Sequence, residues 1–437
     1  MKRKFTKLLL SAVLMMCCVS TWAEYVNYID DKGIKQGCYA TVVTNSTSTL
    51  NAGWYVVTGA DVQTGSLTCK GAVHLILADG AKLTATGNSE HAGITVSDVG
   101  NSLTIYGQDN QNGQLIAKGG DWAAGIGGGN TGSGSNITIN GGVVTATGGI
   151  LGAGIGGGGY GGSGSNITIN DGTVTANSRQ DGAGIGGGDG GSGSNITING
   201  GVVTATCEYF GAGIGGGQNG SGSNITINGG TVTANGGQAG AGIGGGQNGS
   251  GNSITINGGT VTATGGLYAA GIGGGDKGSS SNIKVSADCH VFADGENPPT
   301  TEIEHDSNTD LASALDKRYA IIKIDQAILS ALRSEAIATI NKAIEGVANE
   351  YILDIAQEAE NKIRNTEGRM AIKSIKDAAL AKLEEPVKFY NSGKAKGKAE
   401  AFGDLGTKQT GTAVKVTKDD KEIILYAPDK VEYIITK

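Results

Sequence analysis

Proline is nearly missing from this chain of 437 residues, with 4 in all, and aromatic side chains make up only 5%. The shortage of proline excludes a collagen-like triple helix despite 79 glycines, because that fold needs both proline and a strict three-residue period. Charged residues stand at 17%, low for an ordinary globular enzyme. The four histidines, His74, His91, His290 and His305, are dispersed and suggest no Ser/His/Asp arrangement. Past Cys17 and Cys18 the cysteines are Cys38, Cys69, Cys207 and Cys289, with no Cys-x-x-Cys pair to support a zinc site. The longest apolar run, Leu8 to Val19, is too short to span a bilayer. No membrane span is therefore expected.

What is present is glycine, in one place. Between Asp121 and Asp276 lie 56 of the glycines and only seven charged residues, whereas residues 301 to 437 carry 44 charges. Two physically different materials share one chain. The start reads as a secretory signal over residues 1–23: Lys2, Arg3, Lys4 and Lys7 precede the apolar run, and Thr21-Trp22-Ala23 offers small residues for cleavage before Glu24. A lipoprotein alternative would use Leu14-Met15-Met16-Cys17, where Met16 is bulkier than such sites favour. Without the signal, 29 positive charges face 40 negative ones, which argues against nucleic acid or an anionic membrane as partner. Export permits disulfides, and Cys38 with Cys69 is the expected pair.

Self-similarity decides the fold class. Ala-Gly-Ile-Gly-Gly-Gly recurs with its isoleucine at 126, 155, 185, 214, 243 and 272, a spacing of 29 with one step of 30. A second phrase close to Ser-Asn-Ile-Thr-Ile-Asn-Gly-Gly starts its strand at Ile137, Ile167, Ile196, Ile225 and Ile254, with a degenerate copy at Ile283. A third, Thr-Val-Thr-Ala-Thr, centres on Val144, Val174, Val203, Val232 and Val261. Glycine at this density and an apolar period of two exclude helix. Three short strands per repeat, none able to close a sheet alone, imply a mainly β fold: a parallel solenoid of 29-residue coils. Alternation turns Ile137, Ile139, Val174 and Ala176 inward and Thr138 and Thr175 outward. Asn140, Asn170, Asn199, Asn228 and Asn257 precede each turn and are expected to take left-handed backbone there. With more divergent copies upstream, about eight coils are expected, roughly 40 Å of stacked strands. Residues 24–70 are expected to be a cap segment and 71–297 the solenoid.

The GAGIGGG…SNITINGGTVTAT repeat resembles the glycine-rich, right-handed parallel β-helix proteins secreted by gut-type bacteria, which share their shape with pectate lyases and carbohydrate-binding β-helices. The resemblance covers roughly residues 70 to 295. It implies architecture strongly and activity weakly, since the same coil carries lyases, adhesins and binding modules.

After Asn297-Pro298-Pro299 the glycine stops. Residues 298–324 read as a linker ending in a closing strand, Tyr319 to Ile324. Helices are expected over about 325–345, 349–365 and 367–385, with apolar stripes Ile328/Leu332/Ile337/Ile340/Ile344, Ile352/Ile355/Ala359/Ile363 and Ile372/Ile375/Ala379/Leu383. Gly346 would follow the first helix, and Asn349 and Thr366 would cap the next two. This three-helix bundle, 325–386, resembles spacer modules of bacterial surface proteins. A flexible linker over 387–411 and a β element over 412–437, carrying Val414, Val416, Ile423, Leu425, Val431, Tyr433 and Ile435, would complete the chain.

Most catalytic chemistry finds no support. Gly152 to Gly157 matches GxGxxG, but a dinucleotide site needs a helix after the glycines and here a strand follows. No cofactor is expected. Calcium is the one ion left open, with Asp189 and Asp276 in equivalent turns separated by Gln218 and Gln247. A calcium-assisted polysaccharide lyase would have to use Arg179, Asp171, Asp181 and Asp189 as one polar patch. The remaining features are surfaces. Four residues before each isoleucine the repeat varies: Trp122, Leu151, Asp181, Phe210, Ala239 and Tyr268, with Ile150, Tyr209 and Leu267 beside them. Aligned along one solenoid edge, Trp122, Leu151, Tyr209, Phe210 and Tyr268 would offer apolar faces to a glycan or to a host or matrix protein. Outward threonines such as Thr173/Thr175, Thr231/Thr233 and Thr260/Thr262/Thr264 resemble the arrays of ice-binding solenoids, interrupted by Asn177 and Asn235. The leading expectation is a secreted or surface-attached, non-catalytic binding or adhesion protein. The lyase, ice binding and a purely structural solenoid are the alternatives.

Overall fold

The computed structural model describes residues 23–97, 100–366, 369–395, 413–418 and 421–426. The signal segment, the Lys/Gly-rich stretch from 396, and Val431, Tyr433 and Ile435 lie outside the described residues. The chain divides into two units, Met1–Asp325 and Gln326–Lys437.

The first unit is a parallel β-solenoid. Each coil contributes a strand of the Ser-Asn-Ile-Thr-Ile type, a strand of the Thr-Val-Thr-Ala-Thr type and a two-residue Ile-Gly strand. Equivalent residues pair in register from coil to coil: Ile137 with Ile167, Val144 with Val174, Ile126 with Ile155. Seven coils are complete, with an incomplete rung at either end, one fewer than the eight expected. The inward set, Ile137, Ile139, Val174 and Ala176, is fully buried. Each isoleucine placed in this core stabilises the fold by about 1.5–3 kcal/mol before the entropy of ordering is subtracted. The rungs begin earlier than expected: Thr49–Val57 and Val62–Thr64 already pair with the strands that follow, so the cap is the hairpin Ala23–Ile29/Lys35–Val42 alone.

That hairpin covers an outward-facing cluster near the N-terminal end. Ala40, Val56, Ile76 and Tyr106 are buried there, and Tyr28 and Tyr106 lie 4.6 and 5.2 Å from the Trp54 ring. His74 stacks on Trp54 at 4.4 Å, and burial holds its pKa below the ordinary histidine value. The expected Cys38–Cys69 disulfide is not formed, and both are free thiols. Cys69 points into the solenoid core in register with Leu50, whereas Cys38 packs in the outer cluster. Burial pushes both thiols up, to about 12 and about 11.

Two asparagine ladders run along the stack. Asn170 Nδ2 donates to Asn140 Oδ1 at 2.7 Å, and Asn199, Asn228 and Asn257 continue the chain at 2.6–2.7 Å. Contrary to expectation, these residues do not take the left-handed backbone; the glycine two positions on does, as at Gly172 with φ +98°. Left-handed φ values near 50–60° belong instead to a second set, Asn136, Asn166, Asn195, Asn224 and Asn282, inside the first strand of each coil. Those residues bulge out of the ladder, and a short side chain that bonds its neighbour tolerates the conformation best. Asn166 Nδ2 meets Asn136 Oδ1 at 3.2 Å.

At the C-terminal end the strand Tyr319–Ile324 does not simply follow the last coil. It inserts antiparallel between Thr260–Thr264 and Cys289–Asp294, which a regular coil would have paired directly. The short helix α1, Ala312–Leu315, carries Leu315 into the core, and the Asp310 carboxylate accepts from the exposed-edge amides of Asn282 and Ile283. An antiparallel insert and a charged cap end the stack without leaving a template for another chain. His290 bridges two acids of this end, with Nδ1 2.8 Å from Glu302 and Nε2 3.2 Å from Asp325.

In the second unit, helices α2 (Gln326–Ala343), α3 (Glu350–Arg364) and α4 (Arg369–Ala395) stand where helices were expected. Asn349 caps α3 by accepting from Ile352 N–H at 3.2 Å. Thr366 does not act as the next cap through its hydroxyl, which donates to Lys362 O; its carbonyl accepts from Arg333. The buried stripe of α2 is Leu329, Ala336 and Ile340, rotated from the expected one, and leaves Ile328, Leu332, Ile337 and Ile344 half-buried. Helix α4 also runs past 386, through Pro386, into the stretch expected to be linker. Buried Tyr390 anchors this extension by accepting from Ala348 N–H at 3.1 Å. Strands Ala413–Lys418 and Lys421–Tyr426 form an antiparallel hairpin.

Two outcomes follow from these contacts. Gly215 has φ +133°, and a Cβ there would overlap the carbonyl oxygen of Gly244 in the next coil. Gly215→Ala should therefore cost at least about 3 kcal/mol in denaturant unfolding, against about 0.5 kcal/mol or less for outward Thr204→Ala. The hydrogen bonds that His290 donates to Glu302 and then to Asp325 raise its pKa in the folded state. Its contribution is complete below the ordinary histidine value of about 6.5 and is lost as pH rises through the elevated folded value. The thermal midpoint of the solenoid should fall across that window, and His290→Gln should flatten the fall.

Candidate functional site

The phrase Ala-Gly-Ile-Gly-Gly dips into the core and returns. Within one coil, Ala183 N–H donates to Gly187 O at 2.8 Å, and Ala153 does the same to Gly157 at 2.9 Å. This reversal brings the variable residue before the phrase beside the residue four positions after its isoleucine. In the Leu151 coil, a Cβ on Gly159 would lie 2.6 Å from Leu151 Cβ. Backbone bonds then stack the pairs: the amides of Gly159, Asp189, Gln218, Gln247 and Asp276 donate to the carbonyls of Trp122, Leu151, Asp181, Phe210 and Ala239, at 2.7–2.8 Å. The result is an edge of two adjacent rows. One reads Trp122, Leu151, Asp181, Phe210, Ala239, Tyr268; the other Asn130, Gly159, Asp189, Gln218, Gln247, Asp276.

Exposure along the edge is uneven. Trp122, Leu151 and Phe210 are half-buried and fold partly over the turn, while Asp181 and Ala239 are buried. Tyr268 is 74% exposed, Leu267 62%, Tyr209 41% and Ile150 40%. Tyr209 and Phe210 hold their rings 6.2 Å apart. The sequence reading overlooked Tyr160, which is 58% exposed and follows Gly159 in the second row. Its φ is +54°, a conformation that the other copies give to Thr131, Gly190, Asn219, Asn248 and Lys277. A tyrosine there costs about 1–2 kcal/mol relative to residues that suit the turn. The signal was available: Gly-Gly-Gly-Gly-Tyr replaces a small or polar residue at one copy only.

The four-residue polar patch is not assembled. Asp171 lies at the opposite end of the strand Thr173–Ser178 from Asp181, some 20 Å of extended chain away. Arg179 is exposed on the same turn as Asp181. Asp181 and Asp189 do come together, as the row pair of their coil. Asp181 is 6% exposed, its Oδ1 has no hydrogen-bond partner, and its Oδ2 has only Gln180 Nε2 at 3.4 Å. Burial, and then the charge of Asp189, push the Asp181 pKa up; burial likewise raises that of Asp189. Asp189 and Asp276 are three coils apart, about 14 Å, and cannot share an ion. No group of three or more His, Cys, Asp or Glu side chains converges among the described residues. The threonine ranks are in register at Thr175, Thr204, Thr233 and Thr262, but Val202, 50% exposed, sits level with Thr173 and Thr231.

A family model described as a beta helix repeat matches residues 111–130, 137–159, 167–189, 196–218, 225–247 and 254–276. These six copies are the regular coils and contain both rows of the edge. No curated protein and no solved structure matches the chain. Within residues 111–276 the parallel coils are thus beta helix repeats. No helix among the described residues is long and apolar enough to cross a membrane.

Tyr160→Asn, which restores the residue type of the equivalent turns, should raise unfolding stability by up to about 1 kcal/mol. Denaturant midpoints of the two chains check it. A loss of stability would mean that the exposed ring is packed rather than displayed.

Proposed function

We propose that this β-helix repeat protein is a non-catalytic binding or adhesion protein, exported to the cell surface or beyond, that holds a glycan along its double-rowed edge. The observation that carries the reading is the group of exposed residues Ile150, Tyr160, Tyr209, Leu267 and Tyr268 on one edge of regular coils whose other faces expose a single large apolar side chain, Val202. Tyrosine faces stack on the apolar faces of sugar rings, and the amides and carboxylates of the second row suit sugar hydroxyls. The edge carries Asp121, Asp181, Asp189, Glu208 and Asp276 against Arg179 and Lys277, so the favoured glycan is neutral rather than acidic. The same charge balance counts against a lyase of acidic polysaccharides, as does the distance of Asp171 from Asp181. A host or matrix protein is the other class of ligand that an exposed apolar edge would suit.

A glycan array probed with the full chain should retain neutral polysaccharides. Tyr160→Ala, Tyr209→Ala and Tyr268→Ala combined should weaken binding at least about tenfold, in line with about 1 kcal/mol or more from aromatic contacts. Undiminished binding in that triple variant would remove the edge from the proposal. Unsaturated products released from an acidic polysaccharide would favour the lyase instead.

A further inference from the structure

We propose that Asp181 and Asp189 form a binding site for one hard divalent cation, with calcium as the ion whose ligand preferences they fit. The geometry comes from the coil itself. Residues at these two positions face one another across the reversal, as the 2.6 Å approach of Leu151 Cβ to a Cβ built on Gly159 shows for the preceding coil. In the other complete repeats the pair is Trp122 with Asn130, Leu151 with Gly159, Phe210 with Gln218 and Ala239 with Gln247. Among the six repeats that carry the Ala-Gly-Ile-Gly-Gly-Gly phrase, only this coil has an acid at both positions; the divergent coil of Ile94 has Glu90 and Asp98 there, and Asp98 lies outside the described residues.

The second observation is the orphaned oxygen. Asp181 is more than nine-tenths buried, and its Oδ1 has no donor within reach. The nearby backbone amide of Gly190, which donates to Gln218 O at 2.7 Å, offsets only part of the rise that burial imposes on the Asp189 pKa. No lysine, arginine or histidine forms an ion pair with either acid among the described residues. A buried carboxylate without a donor, beside a second carboxylate, is a costly arrangement in water-poor surroundings. A bound cation relieves both the repulsion and the missing partner. Two carboxylates supply the charge, and water completes the six to eight ligands that calcium accepts in flexible geometry. The competing relief is a proton shared by the two acids, which would leave no affinity for the ion.

Isothermal titration of calcium chloride into the full chain at neutral pH separates these outcomes, with no glycan present, so that its result stands apart from the edge-binding reading. One ion per chain is expected, with a thermal midpoint that rises with calcium. Asp181→Asn and Asp189→Asn should each weaken binding at least about tenfold, and Asp276→Asn should leave it unchanged, since Asp276 faces exposed Tyr268 rather than a second acid. Asparagine is near-isosteric and removes the repulsion, so both variants should fold, and Asp189→Asn on the more open rim keeps the test alive if Asp181→Asn does not. No saturable heat in the unmodified chain, or affinity retained within about twofold in both variants, overturns the site.

Discussion

Along its third side this solenoid is held by main chain against main chain. At Gly127, Gly156, Gly186, Gly215 and Gly244 the backbone stands at φ between 132° and 135°, and a Cβ at any of them would overlap a carbonyl oxygen of the next coil. Only glycine satisfies both the dihedral and the spacing. The two-residue strand is therefore invariant in the six regular copies, where its one side chain, isoleucine, must point inward; the first copy carries Thr95 in place of the glycine and does not take the positive φ. The composition of the chain follows from that close approach, as does the low charge, because a wall of packed backbone has nowhere to put an ion.

The same constraint makes the edge. A side only two residues wide cannot keep its flanking turns apart, so the residue entering the glycine phrase and the residue leaving it become neighbours. Their backbones are fully used in bonds between coils, while their side chains are not needed for stacking. Variation is tolerated there and almost nowhere else. The ends obey a different rule. Open strand edges have to be closed, and the chain does so with an aromatic-packed hairpin at one end and an inserted antiparallel strand with Asp310 at the other.

Periodicity made the coil legible: the three phrases gave the strands, their faces and the alignment of the variable residues. It did not identify which asparagine bends the chain, because Asn140 and Asn136 are equally regular and only the bulge distinguishes them. Pairing in space was also out of reach. Nothing in the spacing of Cys38 and Cys69 shows that one points into the core and the other away from it. Asp171 and Asp181 are ten positions apart, but six of the residues between them form the extended strand Thr173–Ser178, which puts their turns on different sides of the coil. Tyr160 was missed for the opposite reason: its neighbours are so uniform that the glycine run drew attention from the one residue that breaks it. In the helical unit, propensity located three helices, but the face of α2 and the reach of α4 depended on packing partners such as Tyr390.

Internal copies act as controls on one another, and they weigh the readings of the edge. If the variable positions only sealed the turn, any compact apolar residue would serve, and Ala239 with Gln247 shows that a small one is enough. Copies that depart from this minimum do so at a cost. Tyr160 adopts a backbone that suits glycine or asparagine, Leu267 and Tyr268 expose apolar surface, and Asp181 buries an unpaired oxygen. Each departure is destabilising by itself, and all of them fall on the same two rows or one residue beside them. Scattered drift would have spread such costs over the threonine faces as well, where Val202 is the single large apolar residue exposed in the regular coils. A scaffold that gathers the exposed apolar residues of its regular coils, Val202 apart, at one edge has the form of a display surface, with the glycine wall behind it holding the rows at a fixed pitch.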